Sequence, residues 1–515
     1  MNPFANVQRT VTNHKGARPR GVGKTAIVSD DRSPTPSPGL LSPEYRLVTV
    51  AILLIVSLAA FDALSVYAAL PSIGGDLGHV SVLPWVMTSF LLASAIAILA
   101  SGPLIDGLGA RATFRGAVLV FFVSSAACAA SPGIWTLIVA RFAQGLGGGI
   151  SVAVGLASIG LTYPERLHAR GFAAESLVWS LVGFGGPPIV ALLVATIGWR
   201  GVFVVNLPLA AIAGVFGWRR VPTIANSAKR HVTLDRGGIA IVAVFTSALL
   251  IGLSHLGWST FAYLAGAAAT LFVYRVHMRN RTTLVVEGRH LWRLPLGALN
   301  LTVLLSLAAC LGVESFLPVY ARGAQGRSEA VAAFVVVFLT VGWTIGAVTV
   351  SRALDHVDAI DVVFWSTVAL VPSIAATGLA VVYTDSLIAI GAGYFFAGLC
   401  IGAITTAALT SLQGYGASEE LGRINAAHQY MRTVGISAGI ALAGGVVLFI
   451  VGQRVGNVED VRQLLAGNKV ALNDRAANSI RSGYGWAHAV GTLLGIAAVV
   501  PAWYLRRSRS ADVTR

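Results

Sequence analysis

Charge is what this chain has least of. Only 11% of its 515 residues are Asp, Glu, Lys or Arg, where a soluble globular protein carries about 25%. With 55% hydrophobic residues and a mean hydropathy of +0.74, this scarcity excludes an ordinary water-soluble domain and makes lipid the solvent. Cysteine is also scarce. Cys128, Cys310 and Cys400 all lie inside apolar runs, which argues against a disulfide framework or a cysteine metal site. Acids are the rarer sign, 22 against 37 Lys and Arg, giving a net charge of +15. No basic stripe interleaved with aromatics sits on a polar domain, so nucleic acid is not an expected partner.

What is present is a series of long apolar runs. Taking about 20 apolar residues as a span, the sequence predicts spans near 48–70, 83–104, 114–131, 135–161, 173–197 and 201–218, then 238–256 and 259–276, then 296–318, 331–350, 362–382, 387–412, 424–451 and 484–505. The expected fold is an all-α integral membrane protein of fourteen helices. Its domains are a cytoplasmic tail (1–44), a six-helix bundle (45–220), an inserted two-helix hairpin (237–277), a second six-helix bundle (294–506) and a short tail (507–515). Alternate loops carry unequal positive charge: 27 Lys and Arg fall on one side and 8 on the other, with Arg141 and Arg432 inside spans. Both termini are therefore expected to be cytoplasmic in a multi-pass protein of the inner (cytoplasmic) membrane. The first 44 residues, with TNHKGARPRGVGKT and DDRSPTPSPG, read as a disordered tail. No apolar core near the start suggests a cleaved signal peptide. GVGKT ends like a phosphate-binding loop, but Arg18 stands where that loop needs its first glycine.

Within SLAAFDALSVYAALP, Asp62 is a lone charge in an apolar run. An ionised carboxylate there costs several kcal/mol unless it meets a partner or a cavity. Asp62 lies nine residues before Pro71, and Arg141 lies six residues into an oppositely running span, which sets the two within about one helical turn in depth. With Arg141 close, the carboxylate stays ionised. If the arginine withdraws or an apolar substrate dries the site, it takes a proton. The same pair would also serve as a packing element. Glu314, four residues before Pro318, stands in the matching place of the second set, as a further protonation site, a group for cationic cargo, or an acid at the interface.

The residues around these acids resemble a known family. FDALSVYAALPSI is similar to the first-helix signature Asp-x-Thr-x-x-x-x-Ala-Leu-Pro-x-Ile of the fourteen-helix drug/proton antiporters, a branch of the major facilitator superfamily. Asp62, Ala69, Leu70, Pro71 and Ile73 match, with Leu64 in place of threonine. GPLIDGLGAR resembles that superfamily's loop between helices 2 and 3 at Gly102, Leu104, Asp106, Gly109 and Arg111, with Gly107 and Ala110 replacing basic residues. IVARFAQGLGGG resembles the Arg-x-x-Gln-Gly motif at Arg141, Gln144 and Gly145, and GFGGPPIVALL the Gly-Pro motif of helix 5, followed by WRGVFVVNLP.

The resemblance implies proton-coupled efflux of amphipathic or hydrophobic compounds by alternating access. Asp62, Arg141 and Glu314 would be the coupling groups, and Asp106, Gly109 and Arg111 a cytoplasmic latch. Asp106 is also placed to cap the third helix, and Gly183, Gly185, Gly186, Pro187 and Pro188 should bend the fifth. Phe90, Gln144, Trp179, Trp343, His428 and Tyr430 are candidate cargo contacts, and Trp85, Trp135 and Trp199 fit an aromatic belt. Glycine pairs such as Gly145 with Gly149 and Gly398 with Gly402 suit close helix packing. The expected partners are membrane lipids and a small amphipathic substrate, with no cofactor or metal beyond the proton as coupling ion, and a monomeric state. Alternatives are a same-fold uptake symporter, a lipid exporter and, with no catalytic constellation in view, a membrane enzyme.

Overall fold

The computed structural model describes residues 39–77, 84–221, 235–254, 256–279, 294–327, 329–384, 386–415, 421–455 and 474–513. The tail at 1–38 and most of the loop at 452–483 lie outside the described residues. Backbone groups in hydrocarbon must bond within their own segment, so apolar runs of this length become helices. Fifteen are described: α1 (Arg46–Leu77), α2 (Pro84–Leu108), α3 (Ala110–Ala129), α4 (Ile134–Thr162), α5 (Glu165–Ile197), α6 (Arg200–Gly217), α7 (Arg236–Ser254), α8 (Trp258–Arg279), α9 (Leu296–Glu314), α10 (Leu317–Gly323), α11 (Glu329–Ala353), α12 (Ala359–Tyr383), α13 (Leu387–Gln413), α14 (Leu421–Val455) and α15 (Asp474–Val513). Among the described residues eleven helices are long and apolar enough to cross a membrane by length and composition, and no strand occurs.

The packing repeats. In the first set α4 contacts α1, α2 and α3, α6 contacts α1 and α3, and α1 lies along α5. In the second, α13 contacts α9, α11 and α12, α15 contacts α9 and α12, and α9 lies along α14. The sets meet through α2 on α14 and α5 on α11. The pair α7 and α8 packs together, with α7 against α2 and α14.

The register of α4 and α13 repeats too. Gly145 and Gly149 stand 253 positions before Gly398 and Gly402, and all four are close approaches. A methyl added at Gly149 would lie 2.4 Å from the Ser94 carbonyl oxygen of α2; one at Gly402 would lie 2.1 Å from the Trp343 carbonyl of α11. Across from them, Gly342 and Gly346 meet the Phe395 and Leu399 carbonyls at 2.1 and 2.2 Å on the same measure. Small residues let these backbones approach where lipid gives helices little hydrophobic reason to associate.

Both sets contribute to one apolar core toward the end that holds the α2–α3 turn. Ile52, Leu156, Ile159, Tyr163, Leu167 and Phe172 pack there with residues of the second set, including Leu299, Leu409 and Ile424. At the same end a methyl on Gly102 would reach the Arg423 Cα at 3.0 Å, and Arg170 pairs with Asp355 at 3.6 Å. Toward the other end, Phe61, Val66, Ala69, Ile73 and Phe203 form a cluster drawn from the first set alone.

Several local expectations need correction. Helix α1 does not stop at Pro71 but continues to Leu77, since a proline removes one backbone bond and neighbours in the segment hold the rest. The second Leu-Pro does end a span: α9 stops at Glu314, and Pro318 opens the short α10, where a missing N–H is harmless. The N-cap of α3 is Gly109 at φ 84°, a conformation suited to glycine, and not Asp106, whose side chain lies outside what is described. Helix α15 begins ten residues before the expected span because Ile480 and Tyr484 are buried and extend its packed face. Trp85 and Trp135 are exposed, but Trp199 is buried and donates to Asp76 Oδ2 at 2.9 Å, so it is a packing residue rather than part of a belt. Helix α5 is continuous from Glu165 to Ile197 through the Gly-Pro motif; the side chain of Pro187 is not described, and Gly183 faces Thr340 of α11.

The glycine contacts can be tested by stability. Gly346→Ala places a methyl against a backbone carbonyl and should cost about 1–3 kcal/mol, read as a lowered Tm of the detergent-purified protein. Gly116→Ala, which meets nothing within 4 Å, should leave the Tm unchanged or raise it. Equal stability of Gly346→Ala and the parent would refute the close packing.

Candidate functional site

Asp62 sits in the interior of the first set, and four helices converge on it. Arg141 Nη1 of α4 donates to Asp62 Oδ2 at 2.6 Å, and neither side chain has any solvent exposure. Asp62 Oδ1 accepts from Gln144 Nε2 at 2.9 Å and from Asn206 Nδ2 of α6 at 2.7 Å. Gln144 Nε2 also reaches Ser125 Oγ of α3 at 2.8 Å, and its Oε1 accepts from Arg141 Nη1 at 2.7 Å. The Arg141 Nε donates to the Val86 carbonyl at 3.2 Å, and the guanidinium lies over the Phe90 ring, 4.1 Å from its centroid.

Helical spacing explains the convergence. Arg141 and Gln144 are three residues apart and share one face of α4, while Asn206 opens the same depth from α6. Three donors meet the carboxylate in a dry site. Phe90 and Gln144 therefore belong to this network; both were expected at cargo. Asn206 and Ser125 were not singled out from the sequence. The signal was there in WRGVFVVNLP, an amide inside an apolar helix, which must bond something once buried.

A second polar group joins α5 of the first set to α14 of the second. Glu175 of α5, 2% exposed, accepts from Trp179 Nε1 at 2.9 Å and is in electrostatic contact with Arg432 of α14. Arg432 Nη1 donates to Gln429 Oε1 at 2.8 Å, and its buried Nε has no hydrogen-bond partner among the described residues. One turn away, His428 Nδ1 donates to Asn300 Oδ1 at 2.8 Å, and its buried Nε2 has no partner among the described residues. Trp343 Nε1 on α11 is also buried without a partner among the described residues. Trp179 and Arg432 thus meet an acid that the sequence reading passed over, because Glu175 falls at the expected start of its span, and His428 stands one turn from Arg432.

The remaining candidates are dispersed. Glu314 is at the end of α9, in the second set, in electrostatic interaction with Cys310, Tyr394 and Tyr484. Tyr430 turns toward the hairpin: its hydroxyl bonds Thr246 Oγ1 of α7 at 2.8 Å, and it lines an apolar cavity bounded by α7, α8, α9 and α14. Arg111 Nε donates to the Val221 carbonyl at 2.8 Å, within its own set, whereas the ion pair across the sets at that end is Arg170 with Asp355. Gly186 is buried and meets only Val182 of its own helix.

Breaking a buried pair by removing one partner strands a charge, at about 3–5 kcal/mol, whereas removing both can be neutral. Asp62→Leu and Arg141→Met should each lower the Tm in detergent sharply, and the double variant should recover most of the loss. A double variant whose loss equals the sum of the singles would show that the two groups are not energetically coupled.

Most of the chain is similar to known proteins. Residues 52–440 match the family model described as Major Facilitator Superfamily. The chain is 24% identical over 410 residues to a multidrug transporter protein, MdtP, of Bacillus subtilis, covering 78% of this chain and 75% of that one. It is 29% identical over 336 residues to a probable multidrug-efflux transporter of Mycobacterium tuberculosis, covering 63% of this chain and 69% of that one. Among solved structures, the human organic anion transporter MFSD10 superposes with a TM-score of 0.61 at 17% identity, over 88% of this chain and 99% of that one. A family match over most of the length, on this helical architecture, means that the chain belongs to the major facilitator superfamily and is a membrane transporter, not an enzyme.

Proposed function

We propose that this transporter is a proton-coupled exporter of amphipathic or hydrophobic compounds across the cytoplasmic membrane, working by alternating access. In this reading the long helices form fourteen spans, two six-helix bundles plus the α7–α8 hairpin, with both termini in the cytoplasm and the end shared by both sets facing it. The observation that carries the reading is the Asp62 carboxylate, fully buried and held by Arg141, Gln144 and Asn206. A group placed at that cost inside an apolar bundle is matched to a charge that changes during work. When Arg141 is drawn off, the carboxylate loses its counter-charge in a dry site and takes a proton, so protonation and the packing of α1 against α4 are linked.

The cargo would meet the protein between the sets. Glu175 of α5 and Arg432 of α14 interact electrostatically, one on each side of the division that must open and close. A charged head group can replace one partner of that pair while Trp179 and Trp343 cover an apolar body. Closure at the cytoplasmic end is assigned to Arg170 with Asp355 and to the Gly102 contact with α14, beside the Asp106, Gly109 and Arg111 turn. The multidrug names of two relatives at 24% and 29% identity support export over uptake.

Transport of ethidium, an amphipathic cation, into inverted vesicles under an imposed pH gradient tests the reading. The gradient should drive accumulation in the parent, and its collapse should abolish it. Asp62→Asn should reduce gradient-driven transport to that of protein-free vesicles. Asp62→Asn moving the dye as the parent does would sink proton coupling through this residue.

A further inference from the structure

The second set of helices holds a buried polar network at the place where the first set holds Arg141. The 253-residue offset fixed by the α4 and α13 glycines puts Tyr394 at the position of Arg141. Tyr394 bonds Tyr484 through their hydroxyls at 2.6 Å and His488 Nε2 at 3.0 Å. Both partners are on α15, the counterpart of the α6 that carries Asn206. His488 is seated against Gly378, where an added methyl would lie 2.7 Å from its Cβ, so the glycine makes the room for the ring. Glu314 of α9, half-buried at the helix end, is in electrostatic contact with both tyrosines.

Donor accounting gives this network a direction. His488 Nδ1 lies 2.9 Å from the Tyr484 backbone carbonyl, which can only accept, so Nδ1 carries a hydrogen. In neutral His488, Nε2 is then the acceptor and must take the Tyr394 proton. Tyr394 oxygen, having donated, accepts from Tyr484. The chain therefore runs Tyr484 O–H to Tyr394 O–H to His488 Nε2. Its polarity has to reverse when His488 is charged: Nε2–H then donates to Tyr394, Tyr394 to Tyr484, and the Tyr484 hydrogen points outward to a new acceptor. The ionisable groups in electrostatic contact with the tyrosines are Glu314, Cys310 and Tyr320, none of them a cation, and Cys400 lies beyond Cys310. Glu314 is the natural acceptor.

We propose that Glu314, Tyr484, Tyr394 and His488 form a proton relay, the counterpart in the second set of the Asp62 network, which carries a proton between the half-buried end of α9 and the interior of the bundle. In one inward step the protonated Glu314 gives its hydrogen to the Tyr484 oxygen. The Tyr484 hydrogen passes to Tyr394, and the Tyr394 hydrogen to His488 Nε2. Three O–H bonds break, two O–H bonds and one N–H bond form, and the products are a carboxylate and an imidazolium with both tyrosines neutral. The step at Glu314 needs a turn of its side chain or one bridging water, since no hydrogen bond joins it to either ring here. The use of the relay in transport rests on the proton-coupled reading above; the relay itself does not.

Two measurements separate these. In the full-length protein in detergent with 15N-labelled histidine, the His488 signals are assigned by their loss in His488→Gln. They should show the Nδ1–H form with an accepting Nε2 at high pH, and an imidazolium on acidification. The pH at which this change occurs should differ from the parent in both Glu314→Gln and Tyr394→Phe. A His488 titration that is absent, or identical in parent and both variants, overturns the relay. In vesicles, Tyr394→Phe should lose pH-driven ethidium transport but keep ethidium counterflow at the parental rate, because exchange of cargo for cargo moves no net proton. Loss of both would mark Tyr394 as a packing residue and count against the relay; Tyr484→Phe, which also keeps its ring, repeats the test if Tyr394→Phe does not fold. A parent that ignores the gradient would refute proton coupling, and the histidine titration would still decide the relay.

Discussion

A carboxylate and a guanidinium held 2.6 Å apart without solvent contact is the interaction on which the first set of helices depends. Neither charge is tolerable alone at that depth, and each can be satisfied only by the other together with neutral donors. That requirement fixes α1, α3, α4 and α6 relative to one another more closely than apolar packing would, because lipid competes equally for apolar faces but offers nothing to Asp62. The cation–π contact with Phe90 and the bond to the Val86 carbonyl bring α2 into the same constraint. Five helices are thereby tied to one ionised group, and any event that discharges it is felt by all of them.

The division between the sets is built on a different principle. Across it, the contacts are an apolar core toward one end, a glycine approach and a half-exposed ion pair whose contribution in water is small. Such an interface can part without stranding charge. Glu175 and Arg432 are the exception: both are buried, and they come from opposite sides of the division. Separation of the sets at their level would expose two charges, which water or a charged ligand must then satisfy.

How much of this was legible depended on the kind of residue. Long apolar runs gave the helices because hydrocarbon leaves the backbone no other choice, and the lone charges at Asp62 and Arg141 gave their pairing through simple depth along oppositely running helices. Ser125 was not legible as a ligand, since a hydroxyl in a helix is equally well satisfied by its own backbone, as Ser124 and Thr367 show; Asn206 was legible as an amide that must bond something, but not as a partner of Asp62. Glu175 was hidden by its place near the polar start of α5. Trp199 was misjudged because depth along a helix does not reveal which side of it a residue faces. The register shared by α4 and α13 needed the structure, which shows that Gly145, Gly149, Gly398 and Gly402 all make the same contact.

That register exposes a chemical asymmetry between otherwise matching halves. Where the first set places an arginine, the second places a tyrosine, and a guanidinium never gives up its proton at ordinary pH while a phenol can pass one on without acquiring net charge. An acid facing Arg141 can be neutralised only if the arginine moves, so its protonation is tied to a displacement of α4 against α1. An acid facing Tyr394 and Tyr484 meets no fixed positive charge, so a proton can travel through it while α9, α13 and α15 stay where they are. On the proposed coupling, the first arrangement would convert a proton into motion, and the second would carry a proton inward to His488 through helices that hold still, so that one half could serve as the frame against which the other moves.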